Sequence, residues 1–178
     1  FFTGGAHGGW GSGSAWASID FAPPDDPPDG IFCYTSDHWV TAVSSGIITH
    51  SENGMVILDV DGDGNDTTGW SVIYLHIAED GRVAPNTVVN VGDHIGRPSC
   101  EGGFSTATHM HIARRHNGEW LPADCQVCPP QFERPQFTLS GWGVVGILNQ
   151  EYQGFLENGT QQRVAEQGRL TPDNRISW

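Results

Sequence analysis

Five stretches rich in valine, isoleucine and threonine, at 39–48, 54–60, 70–77, 87–91 and 109–114, are separated by clusters of glycine, asparagine and aspartate. That spacing predicts strands joined by hairpins, because β-branched side chains suit a pleated sheet and Gly, Asn and Asp supply the positive φ of tight turns. Helix signals are scarce, and 24 of the 178 residues are glycine. The chain therefore reads as all-β: one antiparallel sheet domain with hairpin extensions. Its length suits a single hydrophobic core, and no run of eighteen apolar residues is present to form a membrane-spanning helix. Residues 1–121 hold every candidate catalytic motif. Residues 122–178 read as a proline- and cysteine-rich connector and a β-rich tail, packed on the rest as one structural domain.

The tripeptide His109-Met110-His111 carries the most chemistry. Side chains alternate across a strand, so the two imidazoles point the same way about 7 Å apart. A histidine pair on a half-buried strand also arises for hydrogen bonding alone. The first twenty residues favour the chemical reading. His7 lies in a glycine-rich stretch, and Asp20 sits between Ile19 and Phe21 at the end of an apolar run. A buried carboxylate needs a partner or a cation, and zinc takes imidazole nitrogen and carboxylate oxygen with a position left for water. His7, Asp20 and His111 would make such a three-ligand site.

Four segments together resemble the M23-family zinc endopeptidases of the staphylolysin and lysostaphin group. They are Gly5-Ala6-His7-Gly8, the run from Trp16 to Phe21, Tyr74-Leu75-His76, and Cys100-Glu101-Gly102-Gly103 leading to His109-Met110-His111. The thirteen-position spacing from His7 to Asp20 suits the staphylolysin branch. The resemblance implies a lysostaphin-type β fold and one zinc per chain on His7, Asp20 and His111. It implies His76 and His109 as catalytic histidines, and a peptide substrate: glycyl bonds of peptidoglycan cross-bridges or of glycine-rich proteins. A neutral imidazole can take a proton from water that zinc has acidified, which suggests His109 as general base. His76 would then stabilise the oxyanion or orient the water, and the two roles are interchangeable at this level. Read alone, His76 is also a plain strand histidine.

The opening Phe1-Phe2-Thr3 predicts that a signal peptide or propeptide has been removed, and four cysteines suit an exported, extracellular protein. Cys125 and Cys128 are expected to bond to Cys33 and Cys100 in some order, because a bridge across two intervening residues is awkward. Net charge is −13 and all eight cations are arginine. Such a surface repels nucleic acid, anionic bilayers and walls rich in teichoic acid. Oligomeric state is not legible.

The acidic run Asp59-Val60-Asp61-Gly62-Asp63-Gly64-Asn65-Asp66 has alternate oxygen donors, as calcium loops do, with Asp59, Asp61, Asp63 and Asn65 as ligands. It lacks an EF-hand's final glutamate and flanking helices, so a polar hairpin is the plainer alternative. His38, His50, His94 and His116 read as surface histidines, and 23–28 as a stiff acidic rim. Asn65-Asp66-Thr67 and Asn158-Gly159-Thr160 match glycosylation acceptors. Trp142, Tyr152 and Phe155 are a candidate stacking surface for glycan. Two other functions compete with the peptidase: a catalytically silent M23-like wall-binding module, and a calcium-stabilised structural or adhesive β-protein.

Overall fold

The computed structural model describes residues 1–124, 135–168 and 170–176, and these residues contain strands and turns with no helix. The strands are β1 (Phe2–His7), β2 (Ser18–Phe21), β3 (Val40–Thr41), β4 (Gly46–Glu52), β5 (Met55–Asp59), β6 (Trp70–Leu75) and β7 (Val88–Val89). They continue as β8 (His94–Gly96), β9 (Met110–His116), β10 (Glu119–Trp120), β11 (Thr138–Leu139), β12 (Trp142–Ile147), β13 (Gln150–Asn158) and β14 (Gln161–Val164).

The main sheet is antiparallel, in the order β1-β2-β9-β6-β5-β4-β7, with β10 paired to β9. All five predicted runs supply strands to the fold, but 39–48 divides: β3 pairs with β8 in a separate ribbon while β4 joins the main sheet. β1 was not legible as a strand, since its sequence FTGGAH has little β propensity. Its glycines answer to packing. A Cβ on Gly5 would lie 2.1 Å from the carbonyl oxygen of Gln153, and one on Gly4 would lie 2.5 Å from Oδ2 of Asp20. The backbone of β1 therefore fits between its neighbours only without side chains at those positions.

The tail is a four-stranded meander, β11-β12-β13-β14, larger than a hairpin. Phe2, Ile19, Tyr74 and Ile112 of the main sheet share one buried cluster with Phe137, Trp142, Val144 and Leu156 of the tail. Trp142 is therefore core, only 5% exposed, and the proposed surface of Trp142, Tyr152 and Phe155 does not exist as one face. Burial of the indole removes more apolar area from water than any exposed placement would.

Cys33 and Cys100 bond to each other, with their Cα atoms 5.5 Å apart. This corrects the expected cross-pairing with Cys125 and Cys128, which lie outside the described residues. Cys33 and Cys100 are on adjacent loops: Thr108, at the far end of the loop that begins at Cys100, donates its N–H to the Phe32 carbonyl at 2.8 Å. A partner next to Cys33 in space pre-empts one distant along the chain.

Candidate metal centre

Register brings the first pair together. Asp20 on β2 lies directly across from His111 on β9, so their side chains share one face. Gly4 of β1 lies across from Asp20 on the other side. His7, at the end of β1, completes the group. Oδ1 of Asp20 is 3.0 Å from Nδ1 of His111 and 3.3 Å from Nε2 of His7, and those two nitrogens are 3.2 Å apart. All three residues are buried.

The donor set fits a cation. His7 donates Nδ1–H to the Gly5 carbonyl at 2.7 Å, so the neutral ring turns a bare Nε2 towards the Asp20 carboxylate. Two electron-rich atoms then face each other with no hydrogen between them. Zinc bonds of about 2.0–2.1 Å at tetrahedral angles place donors about 3.3 Å apart, close to the three separations here. Without a cation, a proton is drawn to the same place. Burial alone would lower the pKa of His7, but the hydrogen bond and charge of Asp20 outweigh it and the value is raised. Burial would raise that of Asp20, yet the hydrogen bonds from His111 and His7 hold it well below the usual carboxylate range. For His111 burial dominates over Asp20 and the pKa is lowered. Its Nε2 is buried with no hydrogen-bond partner among the described residues, a penalty of about 1–3 kcal/mol for a ring whose other nitrogen is held at the centre.

Two more imidazoles face this point. His109 donates Nδ1–H to the Ala107 carbonyl at 2.8 Å and turns Nε2 to within 3.7 Å of Asp20 Oδ1. Oγ of Ser105 lies 3.3 Å from the same Nδ1. His76 donates Nδ1–H to the Glu101 carbonyl at 2.9 Å, and its ring centroid is 4.4 Å from that of His109. Burial, then the nearby His109, lowers the His76 pKa to about 4, so the ring is neutral at pH 7. His76 also has φ of +62°, a strained conformation for a non-glycine residue directly after β6. Its carbonyl oxygen accepts from both N–H and Oγ–H of Ser99, at 2.7 and 3.0 Å. The loop from Cys100, tied by the disulfide, thus carries the carbonyls that orient both histidines.

Tyr152 of β13 stacks on His7, with centroids 4.1 Å apart and an interplanar angle of 23°. Its φ is +65°. The sequence groups this ring with Trp142 and Phe155 as a stacking surface for glycan, whereas the fold sets it on His7. His38 pairs with Asp25, His50 lies near Glu52, His94 stacks on Trp39 and His116 packs against Trp70, all apart from the centre.

No protein-family model matches the chain. In sequence it is similar to Protease LasA of Pseudomonas aeruginosa. Identity is 26% over 123 residues, 66% of this chain, both for the protein of strain UCBPP-PA14 and for that of strain PAO1. The chain spans only 27% of the length of those relatives. In fold it is similar to the deep-sea M23 metalloprotease pseudoalterin. The TM-score is 0.66 at 22% identity, covering 92% of this chain and 88% of that one.

Proposed function

We propose that this chain, M23-like in sequence and fold, is a zinc endopeptidase. The observation that carries the reading is convergence: Nε2 of His7, Oδ1 of Asp20 and Nδ1 of His111 meet at one buried point that His76 and His109 also face. A single zinc ion on those three atoms would polarise the scissile carbonyl and acidify a water.

The remaining work falls to the chain. His109, with Nδ1–H engaged by Ala107, presents a basic Nε2 and takes the proton of the attacking water. It then carries that proton on Nε2 and delivers it to the leaving amine. His76, with Nδ1–H engaged by Glu101, accepts from the water through Nε2 and orients it. Tyr152 covers one face of His7 and keeps bulk water from that side. Retention of both His76 and His109 argues against a silent binding module.

The substrate is a peptide, with glycyl bonds of peptidoglycan cross-bridges or glycine-rich proteins as the preferred class. That preference rests on the resemblance to the lysostaphin group. Secretion is supported by the Cys33–Cys100 disulfide, which persists in oxidising compartments. The test is mass-spectrometric detection of pentaglycine cleavage, with zinc and with a chelator, for the parent and His109→Ala. Chelator-sensitive cleavage lost in the variant is the expected result. Zinc bound with no cleavage of pentaglycine or of a mixed peptide library would sink the reading.

A further inference from the structure

We propose that the turn between β5 and β6 is a second cation site, one that takes a calcium ion on the carboxylates of Asp59, Asp61 and Asp63. Oxygens from these three side chains lie within 4.8 Å of one another. An exposed acidic turn alone would mean little, but Asp59 is different. It is the last residue of β5 and has no solvent exposure. Its Oδ2 accepts the Gly64 N–H at 2.8 Å, whereas Oδ1 is buried and makes no hydrogen bond of normal geometry among the described residues. A buried carboxylate oxygen facing other carboxylates is strongly unfavourable unless a cation or a proton sits between them.

The donors select the ion. All are hard oxygens, with no nitrogen or sulfur, which suits calcium over zinc. Calcium–oxygen bonds of 2.3–2.6 Å put opposite ligands up to about 5 Å apart, matching the observed spread. Asp63 is pre-oriented, since Oδ1 accepts from Asn65 N and Oδ2 from Thr68 Oγ, both at 2.8 Å. Gly62 and Gly64 make the turn with φ of +75° and +83°. Asn65, a ligand by sequence spacing, turns its Oδ1 to N and Oγ of Thr67, at 3.1 and 2.6 Å, so the proposal rests on the three carboxylates. Asp66 pairs with Arg115. The turn enters β6 at Trp70, whereas His76 follows the other end of that strand, roughly 20 Å away. The ion therefore holds a hairpin between two central strands and takes no part in the chemistry.

The experiment titrates calcium chloride into the zinc-loaded, calcium-depleted chain by calorimetry, with thermal unfolding in parallel. One calcium per chain is expected, with Tm rising by roughly 5–10 °C at a hundredfold excess over Kd. Asp61→Asn, on the exposed side of the turn, should fold and weaken calcium at least tenfold while peptide hydrolysis stays unchanged. No heat and no Tm change at millimolar calcium would overturn the proposal. So would an Asp61→Asn, Asp63→Asn double variant that keeps the parent's calcium response.

Discussion

The His7–Asp20–His111 centre and the acidic turn each gather three side chains able to hold a cation, yet they are built in opposite ways. The centre draws His7, Asp20 and His111 from three strands and buries all of them, with backbone carbonyls fixing the rings of His7, His76 and His109. The turn draws Asp59, Asp61 and Asp63 from five consecutive positions and buries only the first. A site assembled across strands exists only if the whole sheet forms, and in return it is preorganised and dry, which suits the proposed chemistry. A local site needs little more than its own hairpin and is suited to holding that hairpin.

Breaking the first site should therefore abolish chemistry. His111→Ala is expected to lose both zinc and peptide hydrolysis. His109→Ala should keep zinc and lose about 10²–10⁴-fold in kcat, the range of general-base catalysis, by metal analysis and peptide kinetics. A near-parent rate in His109→Ala would remove the general-base assignment.

Between the two extremes lies the loop that holds the histidine carbonyls. Cys33→Ser opens a bridge across 67 positions, for which loop closure predicts a loss of about 4 kcal/mol in chemical denaturation. Because Glu101 and Ala107 lie in that loop, kcat should fall with it. Tyr152→Ala removes the stack on His7 and should weaken zinc roughly three- to tenfold, about 0.5–1.5 kcal/mol. Tyr152→Phe, which keeps the ring, should match the parent.

Acid separates the sites further. His76 has its pKa depressed from 6.5 to about 4, so between those values the unfolded chain binds the extra proton. Stability of the metal-free protein should thus fall as pH drops from 6.5 towards 4, and His76→Asn should flatten that slope in a Tm-against-pH series. His7 has the opposite sign: its raised value contributes stability present below 6.5 and lost as pH rises through its folded-state pKa. The smallest effect on catalysis belongs to Asp61→Asn, which should leave peptide hydrolysis unaltered and weaken only the calcium response.

The sequence by itself determined the β class, through β-branched runs cut by Gly, Asn and Asp, and the identity of the five convergent residues. Alternation along a strand is a local rule, so His109 and His111 were bound to share a face, and a carboxylate among apolar neighbours at Asp20 had to be paired. Only the tertiary structure decided that β1 is a strand, because its glycines report close approach of Asp20 and Gln153 and not propensity. It also joined Cys33 to Cys100 and brought Tyr152 onto His7. Those outcomes depend on which segments become neighbours in space. That is fixed by the packing of the main sheet, the β3–β8 ribbon and the tail sheet around a shared core, a cooperative property that no short window of residues contains.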